Sequence, residues 1–306
     1  MRLCVLIPAH APWHVIELTV GTFLKHHRSD EIDIHVGVHS NLCDYTKDHR
    51  MFEDLRGIAQ IHMVDEIDWK NHNESVYRYS TMHAKNLHHL IKHAAYYSFD
   101  RLVILDHDLW VKGPFVTEFV AKYPSADLIG AAMNDVSTMK EFTTEKGQVL
   151  YSLPKISIWH AILTRKLFDK LMEHPVAIYP RVLNDQERPK YFQAYGAERD
   201  LPVFVDTFAD VLHRTRFEWE LNHQFIPETD FSKKVRHFSG SSFNYGVRLL
   251  GERYNGRMSE SLELFSKQLP KGLEPFRMKM EIAKRGGHGH RGNKSPHHRK
   301  NMGASL

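Results

Sequence analysis

Residues 101–105, Arg-Leu-Val-Ile-Leu, carry the strongest strand signal in the chain, and the run ends at once in two acids, Asp106 and Asp108, one residue apart. A short aliphatic and β-branched run of this kind reads as a strand buried on both faces. Such a strand needs paired neighbours and covering helices, so the chain has to build layers around it. The first half supplies both. Leu3-Cys-Val-Leu-Ile7 is a second buried run, ended by Pro8. Ile32–Val38 alternates as a strand does, and Ala59–Val64 reads as another. Between them, Trp13–His26 places Val15, Ile16, Thr19, Val20, Phe23 and Leu24 at helical spacing, and Met82–Tyr97 does the same with Leu87, Leu90, Ile91, Ala94 and Ala95. Strands separated by helices predict an α/β fold with a mostly parallel central sheet and helices on both faces.

Beyond Lys112 the pattern is less regular. Ala126–Ala132 and Ile156–Leu163 read as strands, Lys166–Glu173 and Thr207–Thr215 as helices, and Lys234–Phe238 as a short strand running into Ser239-Gly-Ser-Ser242. Arg181–Arg199 is polar, contains Pro189, and reads as a loop or an exposed helix start. The His26-His27 and His88-His89 pairs read as solvated helix faces. There is no internal repeat. The simplest division is one domain over 1–276, with halves 1–116 and 117–276, followed by a tail over 277–306.

Charge sets that tail apart. The 306 residues hold 41 Lys and Arg against 37 Asp and Glu, a balance of +4. From Arg277 onward there are eight cations and one acid, Glu281, a balance of +7, so residues 1–276 carry −3. The tail is rich in Gly and His and poor in large apolar residues, a composition that reads as disordered and suits a polyanionic partner. Across the whole chain, 42% apolar and 25% charged residues exclude a wholly disordered protein. The two cysteines, Cys4 and Cys43, form no Cys-x-x-Cys pair and no His/Cys zinc spacing. With no apolar stretch long enough for a membrane span and no signal-peptide pattern at the N-terminus, a cytoplasmic protein is expected.

The chemistry centres on Asp106-His107-Asp108. A buried strand delivers both acids to its carboxyl end, where open α/β sheets bind ligands. Two adjacent carboxylates there are costly without a cation, and Mg²⁺ or Mn²⁺ takes carboxylate together with phosphate oxygens. The alternative is that both acids cap the next turn and face water.

This segment, followed by the Gly113-Pro-Phe115 turn and preceded by a first strand ending Ile7-Pro8, resembles the GT-A nucleotide-sugar glycosyltransferases. The resemblance is good over about residues 3–116. It implies a nucleotide-diphosphate sugar as donor and a divalent ion, Mn²⁺ or Mg²⁺, held by Asp106 and Asp108. Pro8 and Ala9 match the nucleobase loop, Lys85 and Asn86 the family's basic-Asn pair near the nucleotide, and His107 lies within the motif itself. Where many members have an aspartate after the second strand, this chain offers His39, Ser40 and Asn41; Asp65 is another nucleotide candidate. Val235-Arg-His-Phe-Ser-Gly240 resembles the C-terminal His-x-x-Gly segment, implying His237 as a third metal ligand with Gly240 and Ser241 near the phosphates. The acid that serves the acceptor lies among Asp206, Asp200 and Glu198. Trp159, in Ser157-Ile-Trp-His160, is a candidate for stacking on a sugar.

These residues imply a glycosyltransferase, hexosyl or pentosyl, with a saccharide or a hydroxymethylated base in DNA as acceptor. The latter would make the reaction a DNA modification. A nucleotidyltransferase also places paired acids after a central strand, but such enzymes usually carry a Gly-rich phosphate loop, and Ile7–Pro12 has no glycine. An inactive nucleotide-sugar-binding protein is the third reading. The tail generates the first expectation: the full chain binds duplex DNA with an affinity that falls steeply as salt rises, and a chain ended at Phe276 binds about tenfold more weakly or less. Equal binding by the two in an anisotropy salt series would remove the tail from acceptor recognition.

Overall fold

Alternation along the first strand, β1 (Arg2–Ala9), builds two cores at once. Leu3, Val5 and Ile7 enter one apolar cluster and Cys4 and Leu6 another, all fully buried. Period-two geometry sends neighbours to opposite faces. The same split recurs in β4 (Arg101–Leu105), with Val103 and Leu105 on one side and Leu102 and Ile104 on the other. Each such side chain contributes about 1.5–3 kcal/mol of transfer free energy.

The computed structural model describes residues 1–9, 13–27, 31–39, 55, 57–64, 78–132, 135–144 and 147–237. After β1 come α1 (Trp13–His26), β2 (Glu31–His39), β3 (Gln60–Val64), α2 (Arg78–Ala94) and β4. Then follow β5 (Leu109–Val111), α3 (Phe115–Lys122), β6 (Leu128–Ala132), β7 (Lys140–Thr143), β8 (Val149–Ser152), β9 (Ile156–Thr164) and α4 (Arg165–Glu173). The last described elements are β10 (Arg181–Val182), α5 (Arg188–Tyr195), β11 (Val203–Val205), α6 (Ala209–Phe217), β12 (His223–Pro227), α7 (Glu228–Lys234) and β13 (Val235–His237).

Seven strands form the main sheet in the order β12-β6-β9-β4-β1-β2-β3. Only β9 runs against the rest, pairing antiparallel with both β4 and β6. Phe23 of α1, Phe115 of α3 and Phe231 of α7 pack on one face; Leu87 and Leu90 of α2, Phe168 of α4 and Leu212 of α6 pack on the other. The α/β fold with a mostly parallel, doubly covered sheet is therefore as expected. None of the described helices is long and apolar enough to cross a membrane.

Several expectations need correction. The histidine pairs are not solvated faces: His27 is buried, its Nδ1 lies 3.0 Å from the Phe23 carbonyl, and its ring stacks on Phe23. His88 holds the Tyr179 hydroxyl at 2.6 Å, and His89 is half-buried. The polar 181–199 stretch contains β10 and α5, with Pro189 in the first turn of the helix and Gly196 ending it at φ 65°. Proline there loses no helix bond, and glycine accepts the left-handed cap.

A second sheet, β10-β11-β8-β7, is anchored by a buried carboxylate the patterns did not reveal. Asp210, fully buried on α6, accepts from Arg181 and Arg214 at 3.0 Å each and from the Tyr191 hydroxyl at 2.5 Å. Burial alone would raise its pKa, but Arg181, Tyr191 and Arg214 outweigh it and hold the acid below the usual carboxylate range. Its contribution to stability is therefore present above the unfolded-state pKa and lost as pH falls through the lower folded value. Asp210→Ala leaves the Tyr191 hydroxyl without its acceptor and Arg181 and Arg214 with only Glu187 and Glu218, and should cost about 1–3 kcal/mol at neutral pH. Urea melts at neutral and acidic pH check this, the gap between the two proteins narrowing in acid.

Candidate functional site

At Leu105 the chain leaves the sheet, crosses the carboxyl edge of the parallel strands through Asp106-His107-Asp108, and resumes as β5. Antiparallel pairing of β5 with β13 sets His237 opposite Leu109 and Val235 opposite Val111. That register brings His237 beside the acids although they are far apart in sequence. Its Nε2 lies 3.0 Å from Asp108 Oδ1 and 3.4 Å from Asp106 Oδ2. Asp106, His107 and Asp108 are all buried, so the reading in which the acids face water does not hold.

The turn is held from beneath by α1. The buried Thr19 hydroxyl donates to the His107 carbonyl at 2.7 Å and accepts from the Leu109 N–H at 2.9 Å. One helical turn on, Thr22 accepts from the Val111 N–H at 3.1 Å. Two strand ends that leave a sheet need partners for their backbone groups, and these hydroxyls supply them. His107 Nδ1 faces two acceptors, Asp106 Oδ1 at 2.9 Å and the Pro8 carbonyl at 3.4 Å, so that nitrogen carries the proton. The turn is thereby fastened to the end of β1.

Charge compensation governs this cluster. Burial would raise the Asp106 pKa, but His107 and His237 together bring it well below the usual carboxylate range. Burial opposes the charged form of His237, yet its hydrogen bonds to Asp106 and Asp108 push it up to about 10. At neutral pH a protonated imidazole therefore bridges the two acids. His107 is raised too, the two carboxylates outweighing its burial. His160 of β9 goes the other way, down to about 3, through burial and then the positive charge of His237.

The remaining candidates are distributed unevenly. Asp206 emerges at the end of β11, largely buried, ion-paired with Lys155 and accepting from the Thr207 N–H at 2.8 Å. Burial would raise its pKa; Lys155 and the hydrogen bonds lower it. Half-buried His83 on α2 lies within the electrostatic reach of Asp106, Asp206 and Asp108, which joins Asp206 to the cluster, and burial keeps its own pKa low. Asp200 is exposed and paired with Arg188 at 3.0 Å, and Glu198 is exposed. Asn86 is fully buried and spends its amide N–H groups on the Gly37 and Ala9 carbonyls, at 2.9 and 3.5 Å. Its observed role is to tie the ends of β1 and β2 together. Gly37 has to be glycine for this, since a Cβ there would lie 1.9 Å from Asn86 Oδ1. Lys85 is half-buried on the same helix. His39 ends β2; Ser40, Asn41, Asp65, Gly240, Ser241 and the 277–306 tail lie outside the described residues, as do the side chains of His39 and Trp159.

A cavity of about 370 Å³ opens beside His237, lined by Lys112, His160, Glu228, Phe231, Ser232 and Arg236 among others. Sequence reading missed Thr19, Thr22, His83, His160 and Lys155. The two threonines did leave a signal, a polar pair three residues apart on an otherwise apolar helix face.

No protein-family model matches the chain, and no curated protein matches it. Solved structures do. The galactosyltransferase LgtC, solved with donor and acceptor sugar analogues, is 12% identical over 90% of this chain and 100% of its own, with a TM-score of 0.42. The mannosyltransferase PcManGT from Pyrobaculum calidifontis, solved with GDP-Man and Mn²⁺, is 13% identical over 92% of this chain and 69% of its own, at 0.41. Mouse xyloside xylosyltransferase 1 is 12% identical over 83% and 94%, at 0.39. These are likenesses of overall outline.

The Thr19 anchor is testable without touching an acid. Thr19→Val leaves the Leu109 N–H and the His107 carbonyl without their partner and should cost about 1–3 kcal/mol in denaturant melts. Thr19→Ser keeps the hydroxyl and should recover most of that loss.

Proposed function

We propose that this chain is a metal-dependent glycosyltransferase, moving a sugar from a nucleotide-diphosphate donor to an acceptor hydroxyl. The observation that carries the reading is the convergence of Asp106, Asp108 and His237 at the carboxyl edge of the sheet. Two carboxylates and one imidazole suit Mn²⁺, and the carboxylates suit Mg²⁺. The fit has support within the protein: the protonated His237 already places one positive charge between the acids, where a divalent ion would place two. When bound, the ion would offset charge on the leaving diphosphate as the glycosidic bond breaks.

The chain's own residues supply the rest. Asp106 and Asp108 hold the ion from the strand end, and His237 closes the site from β13. His107 keeps the turn docked on the Pro8 carbonyl, so Pro8 and Ala9 form the floor beneath the nucleotide, with Asn86 fixing that floor from below. Lys85 offers a cation to the donor phosphates. Asp206 is the acid of the three candidates that acts electrostatically on His83 as Asp106 and Asp108 do, which supports assigning it to the acceptor side. Kept ionised by Lys155, it accepts hydrogen bonds from sugar hydroxyls and orients them for transfer. The basic tail supports a polyanionic acceptor, such as DNA bearing hydroxymethylated bases.

Metal must displace a proton from His237, which gives the reading a pH signature. Below the His237 value of about 10, Mn²⁺ affinity should rise with pH. One released proton corresponds to about tenfold per pH unit. His237→Ala should flatten that slope, and Asp108→Ala should abolish Mn²⁺-dependent turnover of a panel of nucleotide-sugars. Turnover by Asp108→Ala in EDTA at the wild-type rate would overturn the assignment.

A further inference from the structure

A second cluster of metal-ligating side chains lies near the opposite edge of the sheet. His62 sits on the edge strand β3, and His89 and His93 lie one helical turn apart on α2, which packs over it. Residues four apart share a helix face, so both imidazoles point toward the same strand. The His62 and His93 ring centroids are 4.3 Å apart, those of His89 and His93 4.7 Å, and those of His62 and His89 6.1 Å. One ring nitrogen from each residue lies within 4.8 Å of the others. Around a tetrahedral zinc ion with bonds of about 2.0–2.1 Å, two nitrogens stand about 3.3–3.4 Å apart. Small side-chain rotations close that gap.

Behind the three stands His35, fully buried on β2, with its Nδ1 2.9 Å from His62 Nε2. Tyr97 packs edge-on against His35 and donates to Gln60 at 2.6 Å. Histidines that bind metals through one nitrogen usually donate a proton from the other, which fixes the ring. The His35 contact gives His62 that partner and leaves Nδ1 for an ion. Burial and then the neighbouring imidazoles lower the His62 pKa to about 4, so the ring is neutral at physiological pH.

We propose that His62, His89 and His93 form a zinc site that clips the edge strand β3 to helix α2, with a fourth position open to water. An all-imidazole donor set favours Zn²⁺ over Mg²⁺ or Mn²⁺, so this site and the carboxylate site select different ions. The clip fastens the strand at the end of the main sheet, whose outer backbone groups have no partner strand within the described residues.

The test uses full-length, chelator-stripped protein titrated with Zn²⁺ against a competing chromogenic chelator, with thermal melts alongside. Asp108→Ala, in which the carboxylate site is disabled, should take up one tight equivalent and melt at higher temperature with zinc, and wild type should take up at least one. His89→Gln, a half-buried helix position where Gln keeps helix propensity, should melt normally without zinc, bind the ion at least about tenfold more weakly and lose the zinc-induced shift. Equal affinity and an equal shift in His89→Gln would overturn the proposal, placing the zinc elsewhere, on the His-rich tail for example. Should that variant fail to fold, Co²⁺ added to Asp108→Ala decides. Intense visible bands of four-coordinate cobalt support the site, and the weak spectrum of six-coordinate cobalt overturns it.

Discussion

Two carboxylates, Asp106 and Asp108, buried side by side where the central strand ends, are the constraint around which this edge of the molecule is arranged. Each would lose much of its solvation on burial, and together they repel. The fold answers with imidazoles from two directions: His107 from within the turn and His237 from β13. The β5–β13 pair exists at only three residues per strand, yet its register is what delivers His237. Thr19 and Thr22 hold the other partner of that pair against α1. Leu109, Val111 and Val235 add apolar burial to that ladder, so packing and charge balance hold it together.

The same balance bears on the metal-dependent reading proposed above. A bridging imidazolium is a weaker counter-charge than a divalent ion, and it leaves on losing a proton. Such a group stabilises the metal-free fold fully below its unfolded-state pKa, and that stabilisation is lost as pH rises through the folded value of about 10. On the metal-dependent reading proposed above, a divalent ion and this proton would compete for one place. His160, held neutral beside His237, adds no third positive charge to that contest.

Much of the scaffold was legible because buried parallel strands write themselves as continuous apolar runs. β1 and β4 stand where such runs predict them, β2 where alternation does and the antiparallel β9 within the strand read at Ile156–Leu163, and Asp106 and Asp108 follow directly from the end of β4. Short elements left no comparable signal. β13 lies within the short strand read at Lys234–Phe238, but β5 and β10, three and two residues long, form through pairing with distant segments, which no local period records. The histidines show the same limit. His88 and His89 have identical local surroundings in the sequence, yet one holds Tyr179 and the other faces β3. Asp200 looked as suitable as Asp206, with Glu198 behind; both Asp200 and Glu198 are exposed in the loop that follows α5.

Helix α2 links these observations. It carries His83 toward the carboxylate cluster, Asn86 into the tie between β1 and β2, and His89 and His93 toward β3. His83 and His93 are ten residues apart, which at about 1.5 Å per residue separates them by about 15 Å along the axis. Asn86 fits only because Gly37 lacks a side chain, so the helix cannot slide along the sheet without a clash between them. A zinc clip one turn beyond would fix the helix at a second point and remove its freedom to rotate. The edge strand and the carboxylate turn would then be held by one rigid element. Ion binding at one end would thereby set how firmly His83 and the Asn86 tie between β1 and β2 are positioned at the other.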